Sequence, residues 1–144
     1  MTIAQQTAQF LDKVALFNGL NARQLEHLSK RVIGRNYDAG QVIVAQGAAG
    51  EGFFVVQSGH AEAVVERADG SKTVVNSFGP TSYFGELALL DDGPRTASVI
   101  ATEPTRCLAL TRWDFLTTLR EEPDMAILIL QELARRFRQA LGAM

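Results

Sequence analysis

The chain changes its hydrophobic rhythm near Tyr37. Before it, apolar residues recur at helical spacing. From there to Leu110 they fall in short runs of valine, phenylalanine and alanine between glycine-bearing turns, and after Thr111 the helical period returns. Ile3, Phe10, Leu11, Val14 and Phe17 predict a first helix from Ile3 to about Leu16, broken by Phe17-Asn18-Gly19-Leu20. A second helix has a clear start: Asn21 as N-cap, Gln24 three residues on, and Leu20 with Leu25 as a hydrophobic staple. Leu25, Leu28, Val32 and Ile33 predict its buried face and Gly34 its end. Six short strands follow, over Gln41–Ala45, Phe53–Gln57, His60–Glu66, Thr73–Phe78, Ala97–Ala101 and Arg106–Leu110. Asp69-Gly70, between two valine pairs, is a hairpin signal.

Thr111 and Asp114 then suit a capping box, with Leu110 and Phe115 as its staple, and Pro123 suits the first turn of a last helix. Ile127, Leu130, Leu133 or Ala134, Phe137 and Leu141 give that helix one apolar stripe, with Arg135, Arg136 and Arg138 on its other sides. The expected class is α+β: a β jelly-roll sandwich or barrel flanked by N-terminal helices over 1–34 and C-terminal helices over 111–142, with the β-roll over 37–110 and the whole of 1–144 as one domain.

Composition narrows the function. Fourteen basic and sixteen acidic residues leave a net charge of −2, without the basic block that nucleic acid needs. The longest apolar runs are far too short to span a bilayer, and residues 1–9 lack a signal-peptide pattern, so a soluble cytoplasmic protein is expected. Cys107 is the single cysteine and lies in an apolar run, which predicts a buried inert thiol. His27 sits among polar neighbours and reads as a surface histidine. With only His60 beside it in composition, no metal cluster is expected.

One stretch has an assortment that an ordinary strand connection does not need: Phe84-Gly85-Glu86-Leu87-Ala88-Leu89-Leu90, then Gly93-Pro94-Arg95-Thr96-Ala97-Ser98. Gly85 permits close approach of a ligand to the backbone. Glu86 to Leu90 can make one helical turn whose free N–H groups attract an anion. Arg95 supplies a planar fork suited to a phosphate. A carboxylate beside an anion is repelled by it, so Glu86 fits best as the acceptor for a hydroxyl on the same ligand. A sugar phosphate with a free 2′-hydroxyl carries both groups. A plain Glu86–Arg95 ion pair would leave the helical turn and both glycines unexplained.

This run resembles the phosphate-binding cassette of cyclic nucleotide-binding domains, here over 84–98, and the nine-residue step from Glu86 to Arg95 matches that family's spacing. The resemblance extends from about Phe17 to Leu141. It implies that Glu86 binds the ribose 2′-hydroxyl. It also implies that Arg95 and the backbone N–H groups around Ala88 and Thr96-Ala97 bind the cyclic phosphate, with Gly85 and Leu87 also among the ligand-binding residues. The last helix would then be a lid on the base, with Arg135, Arg136, Phe137 and Arg138 as candidates to stack on the purine. Thr96 permits cyclic GMP, and cyclic AMP is expected to bind first. The chain departs from the family pattern at Ala48-Ala49, where an acidic residue is common, at Thr81-Ser82, where glycine is common, and at Asn76, near where an apolar residue often meets the base.

No nucleophile with a base and no hydrolytic apparatus is visible, so a sensor rather than an enzyme is expected, with no cofactor. Six residues follow Arg138, too few for a helix-turn-helix DNA reader, so an effector protein or domain outside this chain is the expected partner. Dimerisation through the last helix is open. A cupin-type metalloenzyme, a ligand-free interaction domain and a DNA-binding regulator are the rival readings.

Overall fold

The computed structural model describes residues 2–48, 52–85 and 95–142. The chain divides into two units: a helical one from residues 1–31 and 114–144, and a sheet unit from residues 32–113.

In the helical unit, α1 spans Ile3–Leu11 and is capped by Thr2, whose side chain accepts the Gln5 N–H. It stops earlier than the sequence suggests. Asp12 is its C-cap, Val14 is extended, and a 3₁₀ turn covers Ala15–Phe17. The reason is packing. Two residues apart, Val14 and Leu16 would point to opposite sides of a continuous helix. With the break, Leu11, Val14, Leu16 and Phe17 are all buried, whereas Ile3 is exposed. The second helix, α2 (Ala22–Ser29), begins as expected: Asn21 accepts from the Gln24 N–H and the Gln24 side chain accepts from the Asn21 N–H, both at 2.9 Å.

After the sheet unit, α3 (Arg112–Glu121) and α4 (Pro123–Gly142) complete the helical unit. The end of α3 is tied to the end of α2 by charge. Arg31 forks onto Glu121 at 2.9 and 3.0 Å and donates to the Thr118 hydroxyl at 2.6 Å. That hydrogen bond holds the Glu121 carboxyl below the usual glutamate range. Glu122, buried at the α3–α4 break, takes Arg23 as its ion-pair partner. His27 is half-buried, with Nδ1 3.5 Å from Glu122.

Among the described residues the sheet unit holds eight strands in two antiparallel four-stranded sheets, a β sandwich. These are β1 (Ile33–Tyr37), β2 (Val42–Val44), β3 (Gly52–Ser58), β4 (Ala61–Glu66), β5 (Lys72–Phe78), β6 (Tyr83–Phe84), β7 (Ser98–Ala101) and β8 (Thr105–Thr111). One sheet runs β1-β8-β3-β6 and the other β2-β7-β4-β5. Val56, Ala61, Ala63, Phe78, Phe84, Val99 and Cys107 form a buried core, and Phe84 stacks on Phe54 at 5.3 Å. Burial pushes the Cys107 thiol up to about 11, as suits an inert core cysteine.

Two strands lie outside the six expected. β1 replaces the predicted end of the second helix. Val32, Ile33 and Gly34 do not continue α2, and Ile33–Tyr37 pairs with β8, Ile33 opposite Ala109 and Tyr37 opposite Thr105. Gly34 serves a strand rather than a helix end, opposite Leu108, and a Cβ there would meet the Arg106 guanidinium. Ile33 is exposed, so the edge pairing, not a buried helical face, decides the segment. β6 is two residues long, too short to carry a period. The β4–β5 hairpin is as read: Gly70 has φ +86°, and Asp69 Oδ1 accepts the Ser71 N–H at 2.9 Å. Among the described residues no helix is long and apolar enough to cross a membrane.

Candidate functional site

Gly85 and Arg95, the two ends of the singled-out stretch that are described, meet in the sheet unit. Residues 86–94, including Glu86, Leu87 and Ala88, lie outside the described residues. Gly85 follows β6 with φ +86°, a conformation that costs an L side chain free energy. Space is equally restrictive. A Cβ on Gly85 would meet the Arg95 guanidinium and would lie 2.8 Å from the Gly52 carbonyl oxygen. The bare glycine is what lets the guanidinium lie against the backbone.

Arg95 is held through both its backbone and its side chain. Its N–H donates to the Ala48 carbonyl at 2.9 Å, and its carbonyl accepts the Gly47 N–H at 2.8 Å. Its Nη2 donates to the Gly52 carbonyl at 2.5 Å. A half-buried cation is thus set between the turn that follows β2, the first residue of β3 and the glycine that ends β6. A guanidinium is a planar fork of N–H donors of the kind that suits a phosphate or a carboxylate. Thr96 is exposed and Ala97 packs against the buried core at its edge.

The Gly52 carbonyl and the Gly47-Ala48 backbone were not among the expected site residues. Their contribution comes from main-chain atoms, and glycine spacing was the one available signal. Thr81, standing where the resembled family often has glycine, has φ +74°, so the backbone there keeps the glycine-type conformation. Asn76 is exposed and its Oδ1 accepts the Ser77 N–H.

Arg135, Arg136, Phe137 and Arg138 belong to α4 in the helical unit, and Gly85 and Arg95 belong to the sheet unit. Arg135 pairs with Glu132 one turn earlier, and Phe137 is exposed. The apolar stripe on α4 is not its buried face. Met125 and Ile129 are buried, while Ile127, Leu130, Phe137 and Leu141 are each at least half exposed. Among the described residues no three His, Cys, Asp or Glu side chains gather as a metal site.

The family model described as cyclic nucleotide-binding domain matches residues 34–122. The Cyclic AMP receptor protein of Thermus thermophilus is 36% identical over 125 residues, which cover 87% of this chain and 58% of that protein. The chain therefore spans little more than half the length of this curated relative. The N-terminal domain of a transcriptional regulator from Streptomyces coelicolor superposes with a TM-score of 0.83 at 30% identity, covering 94% of this chain and 96% of that one. The regulatory domain of Toxoplasma gondii PKA, crystallised with cAMP, gives a TM-score of 0.81 at 25% identity over 94% of this chain and 50% of its own. With a family model matching residues 34–122 and a relative 36% identical over most of its length, this chain belongs to the cyclic nucleotide-binding domain family.

Proposed function

We propose that this chain is a cyclic nucleotide sensor that binds cyclic AMP, and cyclic GMP more weakly, without chemistry on the ligand. The observation that carries the reading is Arg95. Its guanidinium is fixed beside a side-chain-free backbone at Gly85, with its main chain bonded in both directions to residues 47 and 48. In this reading Arg95 neutralises the cyclic phosphate, and the backbone amides of Leu87, Ala88, Thr96 and Ala97 donate to it. Gly85 gives access, and Glu86 accepts the ribose 2′-hydroxyl. One of Arg135, Arg136, Phe137 or Arg138 stacks on the purine in the bound state. The two units work as a single sensor domain over 1–144, in the cytoplasm. The ligand shifts the population of α4 conformations only as far as it prefers one of them, and an effector outside this chain reads the shift. The protein itself uses no cofactor.

Calorimetric titration of the stripped protein tests the reading. Cyclic AMP is expected to bind, with cyclic GMP weaker. Equal affinities, or a preference for cyclic GMP, would reverse the assigned order. No binding of either would sink the sensor reading and leave a domain that keeps the fold for protein interaction.

A second copy of this chain is the proposed occupant of the exposed stripe on α4. Ile127, Leu130, Ala134, Phe137 and Leu141 are spaced three, four, three and four residues apart, the a/d pattern of a two-stranded coiled coil, and all five are exposed. Sedimentation is expected to show a dimer that Phe137→Glu converts to monomer. A monomeric wild type at micromolar concentration refutes this interface.

A further inference from the structure

We infer that Gln46 is a positioning residue for the phosphate arginine, an inference that rests on the sensor reading above. Gln46 lies just past β2 and is exposed, so neither burial nor periodicity marks it. Its bonds do. The side-chain Oε1 accepts the Glu66 N–H at 2.8 Å, and its Nε2 donates to the Glu66 carbonyl at 3.0 Å. One amide side chain thus pairs with both backbone groups of a single residue, as a neighbouring strand would. The Gln46 N–H in turn donates to the Ser98 hydroxyl at 2.9 Å. Position 46 is therefore fastened to the end of β4 and to the start of β7.

The next two residues are those that bracket Arg95. Gly47 donates to the Arg95 carbonyl and Ala48 accepts the Arg95 N–H. Gly47 has φ +83°, and nothing lies within 4 Å of where its Cβ would be. Hydrogen bonds to Arg95 tie the turn in place, and the adjacent Gln46 makes three more, to Glu66 and Ser98. Ser98 has a matching role. It lies three residues after Arg95, and its hydroxyl closes the same ring of contacts from the other side. Loosening Gln46 lets the 47–48 turn, and with it the Arg95 backbone, sample more positions. A less preorganised guanidinium binds an anion more weakly even though no ligand contact has been removed.

A double-mutant cycle on the whole chain, titrated with cyclic AMP, tests this. Gln46→Ala is expected to weaken binding about three- to tenfold, the worth of one or two exposed hydrogen bonds. In the Arg95→Ala background the same change is expected to cost less than about twofold, because the group it positions is gone. Ser98→Ala, which deletes a single hydroxyl, is expected to act in the same direction and serves if Gln46→Ala fails to fold. A ligand-free readout accompanies the cycle. Amide hydrogen exchange at Gly47 and Arg95 should speed up in both variants, while amides of β3 and β8 stay unchanged. Unchanged affinity and exchange, or an equal loss in both backgrounds, overturns the positioning role and leaves the sensor reading intact. If the wild type binds neither cyclic AMP nor cyclic GMP, the sensor reading fails, and the positioning role fails with it.

Discussion

Replacing Arg95 with alanine is expected to weaken cyclic AMP binding roughly 30- to several-thousand-fold. The range follows from the cost of stripping a desolvated charge of its partner, about 2–5 kcal/mol. Half-buried Arg95 sits against the backbone of Gly85 and Gly52, where water screens it less than on an open surface. The variant should stay folded, because the two main-chain bonds to residues 47 and 48 do not involve the side chain. Arg95→Lys should recover little of the loss. An ammonium is a compact point charge on a flexible stem, without the planar fork that here meets a carbonyl and a backbone face together. Isothermal titration of both variants beside wild type is the measurement. If Arg95→Ala binds within about threefold of wild type, Arg95 is not the phosphate anchor. The ligand would then have to be held by the amides of the cassette alone.

Gly85→Ala should act on stability and affinity at once. Two penalties combine. A φ of +86° costs an L-residue about 1–2 kcal/mol. In addition, the new methyl would lie 2.8 Å from the Gly52 carbonyl oxygen and inside the space of the Arg95 guanidinium. The carbonyl belongs to β3 and cannot retreat, so the guanidinium gives way. The expected outcome is a fall in unfolding free energy of about 2–3 kcal/mol together with at least about tenfold weaker cyclic AMP binding. Gly70→Ala separates the two effects. Gly70 has the same φ of +86°, but nothing lies within 4 Å of its Cβ position, and it sits in the β4–β5 turn. It should lose the strain energy alone and bind normally. Equal affinities for Gly85→Ala and Gly70→Ala would show that crowding against Arg95 has no part in binding.

Both predictions concern positions that the sequence singles out but whose geometry only the fold decides. The run over 84–98, with its nine-residue step from Glu86 to Arg95, resembles a phosphate-binding cassette. Nothing in that stretch names Gly52, which is 43 residues away from Arg95 in the chain, or the 47–48 turn that holds its backbone. Those partners act through carbonyl and amide groups that every residue carries, so the sequence offers no side-chain pattern to find them. Gln46 is hidden for a related reason. An exposed glutamine reads as solvated surface until the Glu66 backbone is placed beside it.

Where local chemistry decided a segment, the sequence determined it. The Asn21–Gln24 capping box, the Asp69-Gly70 hairpin, Pro123 at the head of α4 and the cores of six strands all rest on bonds or alternations within a few residues. Where a distant partner decided, the local signal misled. Ile33 fits the helical period of α2 and Gly34 suits its end, yet an edge pairing with β8 draws both into a strand. The run from Ile3 to Leu16 fits one helix, yet burying both Val14 and Leu16 requires the turn that breaks it. On α4 the period located an apolar stripe without saying what covers it. In the folded chain Met125 and Ile129 are the buried residues of that helix, and the stripe is left exposed. Periodicity records which residues share a face. Which face is covered depends on competition among all the apolar surfaces of the fold, and that is settled only once they are assembled.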